Sequence, residues 1–378
     1  MKKPRLKKIL FVLLALLLLY VLWLGYHLLR FQPRKGDLSK ASELEIQGAY
    51  HIHSVHSDGR KTIDEISELA SQAALDFIII TDHGNPNKES LAEQGWKAGV
   101  LVLVGSELST NRGHLVALGF NPPDQPFSRV AERAVEEITA AGGMSIIAHP
   151  DSKVRWTWGP QVEYSGIEIL NSYSPPQKNF VSMIPYLPLL LVRPHYWLLK
   201  ILDAPVNNLK RWDELNTTHP VHGFFAIDAH LLYRPLLTFF HLHLRLRQPL
   251  SPSFEEAREQ VNSVLKKGRF YCAIEAAAEA RGFRFWAETE EGNIPMGSRT
   301  QFRSPLRLRI KAPFPFAKEI HLIHDGKKIL SSSQKNISYE VTEPGIYRVE
   351  VYLRERSPLG KNVPWIISNS ILLRRDQP

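Results

Sequence analysis

The chain has 378 residues, 44% of them hydrophobic and 22% charged, which excludes a disordered polymer and leaves room for more than one domain. Its single cysteine, Cys272, excludes a disulfide framework and any cysteine-based zinc site, and reads as a small buried apolar residue. The net charge of +9 is not a nucleic-acid footprint: Lys2, Lys3, Arg5, Lys7, Lys8, Arg30, Arg34 and Lys35 supply eight of it within residues 1–35, leaving a nearly neutral body.

From Ile9 to Leu29 the chain is apolar for 21 residues, interrupted only by His27 near the end. About 20 such residues cross a hydrocarbon core. Five cations precede the run and three follow it, which predicts a cytoplasmic N-terminus and an extracytoplasmic body. Trp23 and Tyr26 stand where an interfacial aromatic belt is expected. The alternative is a cleaved signal peptide, but the run is long for one and the bulky GYHLLRFQP after it offers no small-residue cleavage site.

Residues 31–46 read as a polar spacer. A strand–helix rhythm follows: AYHIH (49–53) is a short strand, and residues 62–75 carry Ile63, Ile66, Leu69 and Ala70 at helical spacing. The runs at 77–81, 100–107, 115–120, 144–149, 166–170 and 223–230 are continuously apolar, as in parallel strands covered on both faces, and residues 128–141 read as a helix. This alternation predicts an α/β parallel sheet or barrel over residues 47–280.

Residues 172–250 are less regular. Two aromatic, apolar tracts, 183–202 and 231–250, are too interrupted by Pro, Arg and His to span a bilayer. They read as loops covering the barrel mouth or as segments dipping into the membrane interface. From residue 281 period-2 alternation appears at 283–288, 305–312, 318–330, 347–354 and 364–373, with turn signals at 325–326 and 344–345, predicting a small antiparallel sandwich over 281–378.

Polar residues interrupt the apolar strands at their ends. HIHSVHSDG carries His51, His53 and Asp58; TDH carries His83; GSE carries Glu107; RGHLVALG carries His114; AHPD carries His149; AIDAH carries Asp228 and His230. In a barrel the C-terminal strand ends converge on one face. Residues two apart on a strand, such as His51 and His53 or Asp228 and His230, point to the same side. His114 precedes its strand and reaches this face only if a short hairpin follows Glu107. Imidazoles and carboxylates without thiolates suit Mn, Zn or Fe, and nine ligands exceed the needs of one ion, so two or three are implied. His56, His195, His222, His241 and His243 read as ordinary structural histidines, with His56 close enough to the motif to support it from behind.

In this order the motifs HIHSVHSDG, TDH, GSE, GHLVALG, AHP and D-A-H resemble the polymerase-and-histidinol-phosphatase (PHP) superfamily of metal-dependent phosphoesterases, over residues 47–235. The tract RWDEL (211–215) also looks like the family's approach to its last motif. The resemblance implies a distorted (β/α)7 barrel with two or three Mn, Zn or Fe ions held by His51, His53, Asp58, His83, Glu107, His114, His149, Asp228 and His230, Glu107 bridging ions. Asp58 stands where some members carry His, and the apolar insertion at about 172–222 departs from compact members. The C-terminal strands resemble the accessory sandwich of one branch.

Two ions about 3.5–4 Å apart can share a hydroxide that attacks an ester. Asp58, Asp228 or His230 would manage the proton, and Arg112, Lys153 and Arg155 flank the motifs as phosphate clamps. The expected activity is hydrolysis of small phosphate esters. Hydrolysis of carboxylic, carbamate or amide esters by the same hydroxide is the alternative, and a non-catalytic, membrane-tethered metal-binding module the second. A nuclease is disfavoured by the neutral body, so the expected partners are a small ester and the membrane, met through the N-terminal helix and possibly the insertion, without nucleic acid.

Overall fold

The computed structural model describes residues 3–31, 44–151, 162–172, 180–313, 317–353, 358–360 and 362–375. Helix α1 (Lys3–Arg30) contains a stretch, Leu6–Leu29, long and apolar enough to cross a membrane, and residues 6–19 of it are all exposed.

The body is built on strands β1 (Glu45–Ile52), β2 (Phe77–Ile80), β3 (Gly95–Lys97), β4 (Val100–Val104), β5 (Ser106–Thr110), β6 (Gly113–Leu118), β7 (Met144–Ile147), β8 (Gly166–Asn171) and β9 (His222–Ala226). Every residue of β1, β2, β4, β7, β8 and β9 is buried, which explains the unbroken apolar runs of β2 and β4 and the mostly apolar composition of the others. β1, β2 and β4 pair in parallel, as do β7, β8 and β9, whereas β5–β6 and β6–β7 are antiparallel. The ring therefore departs from strict strand–helix repetition at the β5–β6 hairpin.

Two hydrogen-bonded seams close these strands into a ring. At one, the chain passes from β4 to β5 through Gly105, whose N–H donates to the Ile80 carbonyl at 2.8 Å; any Cβ here would press on the Ala117 carbonyl. An isolated bridge joins His83 to Glu107 beside it. At the other, Ile227 N–H donates to Tyr50 O (3.0 Å) and His53 N–H to Ala229 O (3.0 Å). Six of the nine predicted ligands, His51, His53, His83, Glu107, Asp228 and His230, lie at or next to one of these seams.

Helices α2 (Ile63–Gln72), α3 (Lys88–Leu91), α4 (Ala131–Ala140), α5 (Pro188–Val192), α6 (Pro194–Ile201), α7 (Val206–Asn216), α8 (Tyr233–Leu236) and α9 (Phe254–Lys266) complete this part. α2 starts at a Thr62–Glu65 capping box and buries Ile63, Ile66 and Ala70; α4 buries Ala134, Val135 and Ile138. α5, α6 and α7 lie in the segment between β8 and β9. Part of the second apolar tract is neither a mouth-covering loop nor an interfacial segment: its residues 240–245 form β10 (Phe240–Arg245), a core strand between β1 and β11 (Phe270–Ile274). Pro and Arg at its flanks obscure a strand whose first five residues are buried.

The C-terminal strands are β12 (Arg284–Thr289), β13 (Gly292–Pro295), β14 (Arg299–Gln301), β15 (Arg307–Lys311), β16 (Ala317–His324), β17 (Lys327–Ser332), β18 (Asn336–Glu340), β19 (Gly345–Leu353), β20 (Ile366–Ser368) and β21 (Ile371–Arg374). One antiparallel sheet runs β13-β12-β15-β18. The others are not a separate layer, because β20 pairs with β11 (Cys272 opposite Ile367) and carries the sheet of β1, β10 and β11 into β19 and β21.

Where the two parts meet, the buried carboxylate of Glu45 on β1 accepts from Tyr271 Oη (2.5 Å), Arg284 Nη1 (2.6 Å) and the Gly282 N–H (3.1 Å). His243 lies beside it and reaches Glu275 at 3.2 Å. Burial alone would lower the His243 pKa, but Glu275 and Glu45 push it up to about 9. Its pKa being raised on folding, His243 contributes stability that is complete below its ordinary value near 6.5 and lost as pH rises through about 9. Glu45→Ala strips Arg284 of its carboxylate and leaves His243 with Glu275 alone, and is expected to cost about 3–5 kcal/mol. Urea unfolding at pH 7 checks this, and a cost below about 1 kcal/mol there would contradict the network's role. In wild type, stability falls more between pH 8 and 10 than in His243→Gln.

Candidate metal centre

The ligand-bearing loops owe their shape to unusual backbone. His51, His149 and Asp228 all have positive φ (69°, 26° and 43°), a region that non-glycine residues adopt at a cost of about 1–3 kcal/mol each. At His51 the β1–β2 register slips, so the chain bulges as it leaves the sheet. Simple alternation is thus not what aims His51 and His53 together. His53 lies past the end of β1 and Asp228 and His230 past the end of β9, and the loops are held side by side by the Ile52–Ala229 bridge. His114 arrives by the hairpin that its position requires, with Ser109 opposite it and Glu107 opposite Val116.

Glu107, 1% exposed, sits at the centre. Its Oε2 faces His51 Nε2 (3.2 Å), His53 Nε2 (3.2 Å) and His83 Nδ1 (3.5 Å), and its Oε1 faces His114 Nδ1 (2.7 Å) and His149 Nε2 (2.8 Å). Asp228 Oδ1 lies 3.5 Å from both His51 Nε2 and His53 Nε2. At the open side Asp58, 56% exposed, approaches His230 Nε2 (3.1 Å) and His83 Nε2 (3.7 Å). All nine sequence-predicted ligands thus come together, in overlapping sets: His51, Glu107 and His149; His51, His53 and Asp228; His83, Glu107 and His114; and His53, Asp58, His83 and His230. Each set spans less than 4.8 Å between ligand atoms, small enough for one cation.

The donor chemistry fits cations. His53 Nε2 is buried without a hydrogen bond of good geometry although two carboxylates lie within 3.5 Å, so it aims at the space between them. Burial would raise the Glu107 pKa, but the charge on His51 and hydrogen bonds from His114, His149 and His51 hold it well below the carboxylate range. Burial would lower both His51 and His53, yet Glu168, Asp228 and Glu107 hold His51 well above its ordinary value, and the Asp228 and Glu107 carboxylates beside His53 lift it to about 9. These carboxylates demand positive charge, which protons supply here and divalent ions would supply more compactly. His83, more exposed, is lowered by burial.

A supporting layer escaped sequence reading. Glu168, fully buried on β8, contacts His51 Nδ1 at 2.5 Å and accepts from His149 N–H (2.7 Å) and Asn171 Nδ2 (2.8 Å). Asn171 also donates to Asp228 Oδ2 (3.2 Å). Asp82 accepts at 2.6 Å from Ser54 N–H, Ser54 Oγ and Ser57 Oγ, bracing the loop that carries His53 and Asp58. Tyr233 Oη donates to His53 O (2.8 Å). The available signal was a lone carboxylate inside the apolar GIEIL.

His56 contacts Glu93 (2.5 Å) and Glu89 (3.4 Å), outside the ligand sets. His195 and His222 hold backbone carbonyls, and His241 and His243 belong to the polar cluster with Glu275. Among the predicted clamps, Arg112 lies at the tip of the β5–β6 hairpin with its Nε 3.0 Å from Glu132; Lys153 and Arg155 lie outside the described residues.

No family model matches the chain. An uncharacterized protein of Methanocaldococcus jannaschii is 28% identical over 141 residues, covering 32% of this chain and 80% of the relative. The structure is similar to a two-domain protein containing a predicted PHP-like metal-dependent phosphoesterase from Bacteroides vulgatus, with a TM-score of 0.45 and 13% identity over 90% of this chain and 99% of the other. It also shows similarity to an amidohydrolase from Chromobacterium violaceum, with a TM-score of 0.31 and 18% identity over 48% and 87% of the two chains.

Glu168→Gln keeps shape but removes the charge behind His51. It is expected to weaken metal binding about 10–100-fold with the fold retained, the usual scale for a group orienting a metal-ligating imidazole. Metal titration by calorimetry decides, and unchanged affinity would remove Glu168 from the site.

Proposed function

We propose that the protein is a membrane-anchored, metal-dependent phosphoesterase of the PHP superfamily. In this reading residues 1–30 are the anchor, 31–46 a linker, 47–280 a distorted (β/α)7 barrel and 281–378 an accessory sandwich, one of whose sheets is continuous with the sheet of β1, β10 and β11 through β20. The observation that carries it is Glu107: one buried carboxylate with three imidazoles around one oxygen and two around the other suits a ligand bridging two or three divalent ions.

The nine residues would hold the ions. When bound, they would lower the pKa of water and neutralise charge on the ester's oxygens, usually the largest contribution to such reactions. The chain's own part is positional. Glu168 fixes the His51 ring through Nδ1 so that Nε2 faces the basin, and Asp82 holds the turn that presents His53 and Asp58. Asp228 is buried between His51 and His53, in a ligand's position. Asp58 and His230 lie at the opening, where a proton can pass between a substrate oxygen, Asp58 Oδ1 and His230 Nε2. The strained loops pre-set this arrangement.

The full chain in lipid nanodiscs, loaded in turn with Mn, Zn or Fe, is expected to release phosphate from small phosphate esters and to leave aryl carboxylates and carbamates intact. A chelator abolishes turnover and added metal restores it. His83→Ala and Glu107→Ala are each expected to lower kcat/KM by at least about 100-fold, the scale of losing one electrostatic group from an active site. Turnover of carbamates or carboxylic esters without phosphate release would replace this reading with the alternative hydrolase, and full activity in both variants would dismiss the site.

A further inference from the structure

The segment between β8 and β9 reaches the anchor helix. Tyr20 Oη on α1 donates to the Pro185 carbonyl at 2.7 Å, and Tyr196 Oη on α6 meets His27 Nδ1 at 3.1 Å. Around these bonds Trp23 packs on Tyr186 (5.0 Å between ring centroids) and Phe31 on Tyr196 (5.8 Å). Beside this contact the 3-10 turn Phe180–Tyr186 and helix α5 expose Val181 (65%), Ile184 (49%), Leu191 (89%) and Val192 (68%).

The depth of the contact is fixed by helix geometry. Leu6–Leu29 is 24 residues, about 36 Å at 1.5 Å per residue. That exceeds a hydrocarbon core of about 30 Å by roughly 6 Å. With the excess shared between the ends, Tyr20, nine positions before Leu29, lies about 10 Å inside the boundary. A tyrosine hydroxyl at that depth needs a partner, since hydrocarbon supplies none. Pro185 O is that partner, so Pro185 lies at about the same depth. The exposed side chains of the same segment would then meet acyl chains, not water. Nearer Leu29 the composition becomes interfacial: Trp23, Tyr26, Tyr186 and Tyr196 with Arg193 and Lys200, the Lys200 ammonium 5.3 Å from the Tyr186 ring.

We infer that Phe180–Val192 is a second membrane contact, a monotopic wedge that enters the leaflet at the Leu29 end of α1 and seats the catalytic body on the bilayer. The inference rests on α1 spanning a membrane and is independent of the metal chemistry. The helix that follows the wedge leads toward the metal centre: His195 on α6 contacts Thr238 Oγ1 (2.7 Å) and Pro235 O (3.0 Å), and Pro235 lies in α8, which starts three residues after His230. The loop between them exposes Leu231 and Leu232.

The test uses the full chain in nanodiscs, with single cysteines placed by Leu14→Cys, Ile184→Cys, Leu191→Cys and Val130→Cys and labelled with a fluorophore sensitive to polarity. Native Cys272 is 1% exposed and its thiol is pushed up by burial, so it does not compete. Labels at Ile184 and Leu191 are expected to be quenched by nitroxide lipids as strongly as the label at Leu14, and at least about twofold more than that at Val130. A photoactivatable lipid cross-linked to unsubstituted protein should mark the peptide containing residues 180–192. If Leu14 responds to lipid while Leu191 and Ile184 respond to aqueous iodide like Val130, the wedge is refuted and the span stands. If Leu14 also responds to iodide, the span itself fails and the wedge with it. Protection from both quenchers would mean that another copy covers the segment, which equally overturns the inference.

Discussion

The structure turns on one buried carboxylate. Glu107 is almost inaccessible to solvent, and an ionised carboxylate in that position is tolerable only with compensating positive charge. Five imidazoles from four separate stretches of chain provide it, protonated or as ligands of a cation. Because Glu107 is also the first residue of the chain past the β4–β5 seam to bridge back to His83, its electrostatic role and the closure of the ring are the same constraint. A closed barrel could have been made with an unbroken sheet; here the ring is interrupted where the ligands must enter.

The interruptions explain where strain is stored. Left-handed backbone at His51, His149 and Asp228 would be unfavourable in any isolated loop. It persists because neighbouring hydrogen bonds over-determine it: His53 N–H to Ala229 O and Ala229 N–H to His51 O on one side, His149 N–H to Glu168 on another. Glu168 thus has two jobs that one carboxylate can do at once, orienting a ring with one oxygen and holding the His149 backbone with the other.

What could be read from the chain, and what could not, follows from range. Each of the nine clustered residues sits in a short polar motif that breaks an apolar strand, a local contrast visible without any partner. The α/β character was legible for the same reason, since strands buried on both faces are written as continuous apolar runs. Glu168 was not legible, because its partner His51 is 117 positions away and nothing beside it announces a pairing. Nor was the bulge at His51, where no glycine marks the left-handed turn. β10 was hidden by the Pro and Arg that flank it, and the joining of the C-terminal strands to the barrel depends on Cys272 meeting Ile367, a register no local pattern encodes.

The distribution of charge separates the two faces of the molecule. The basic excess is confined to the N-terminal segment, while the body balances its charges and concentrates carboxylates and imidazoles in one basin. A near-neutral body does not gather a long polyanion, whose binding needs many phosphate contacts made at once. A basin that draws in small cations with its carboxylates behaves differently: once loaded, it becomes the strongest local positive field on the body. In the proposed reading, selectivity for a small anionic ester would come from the cations, with the near-neutral surface contributing little.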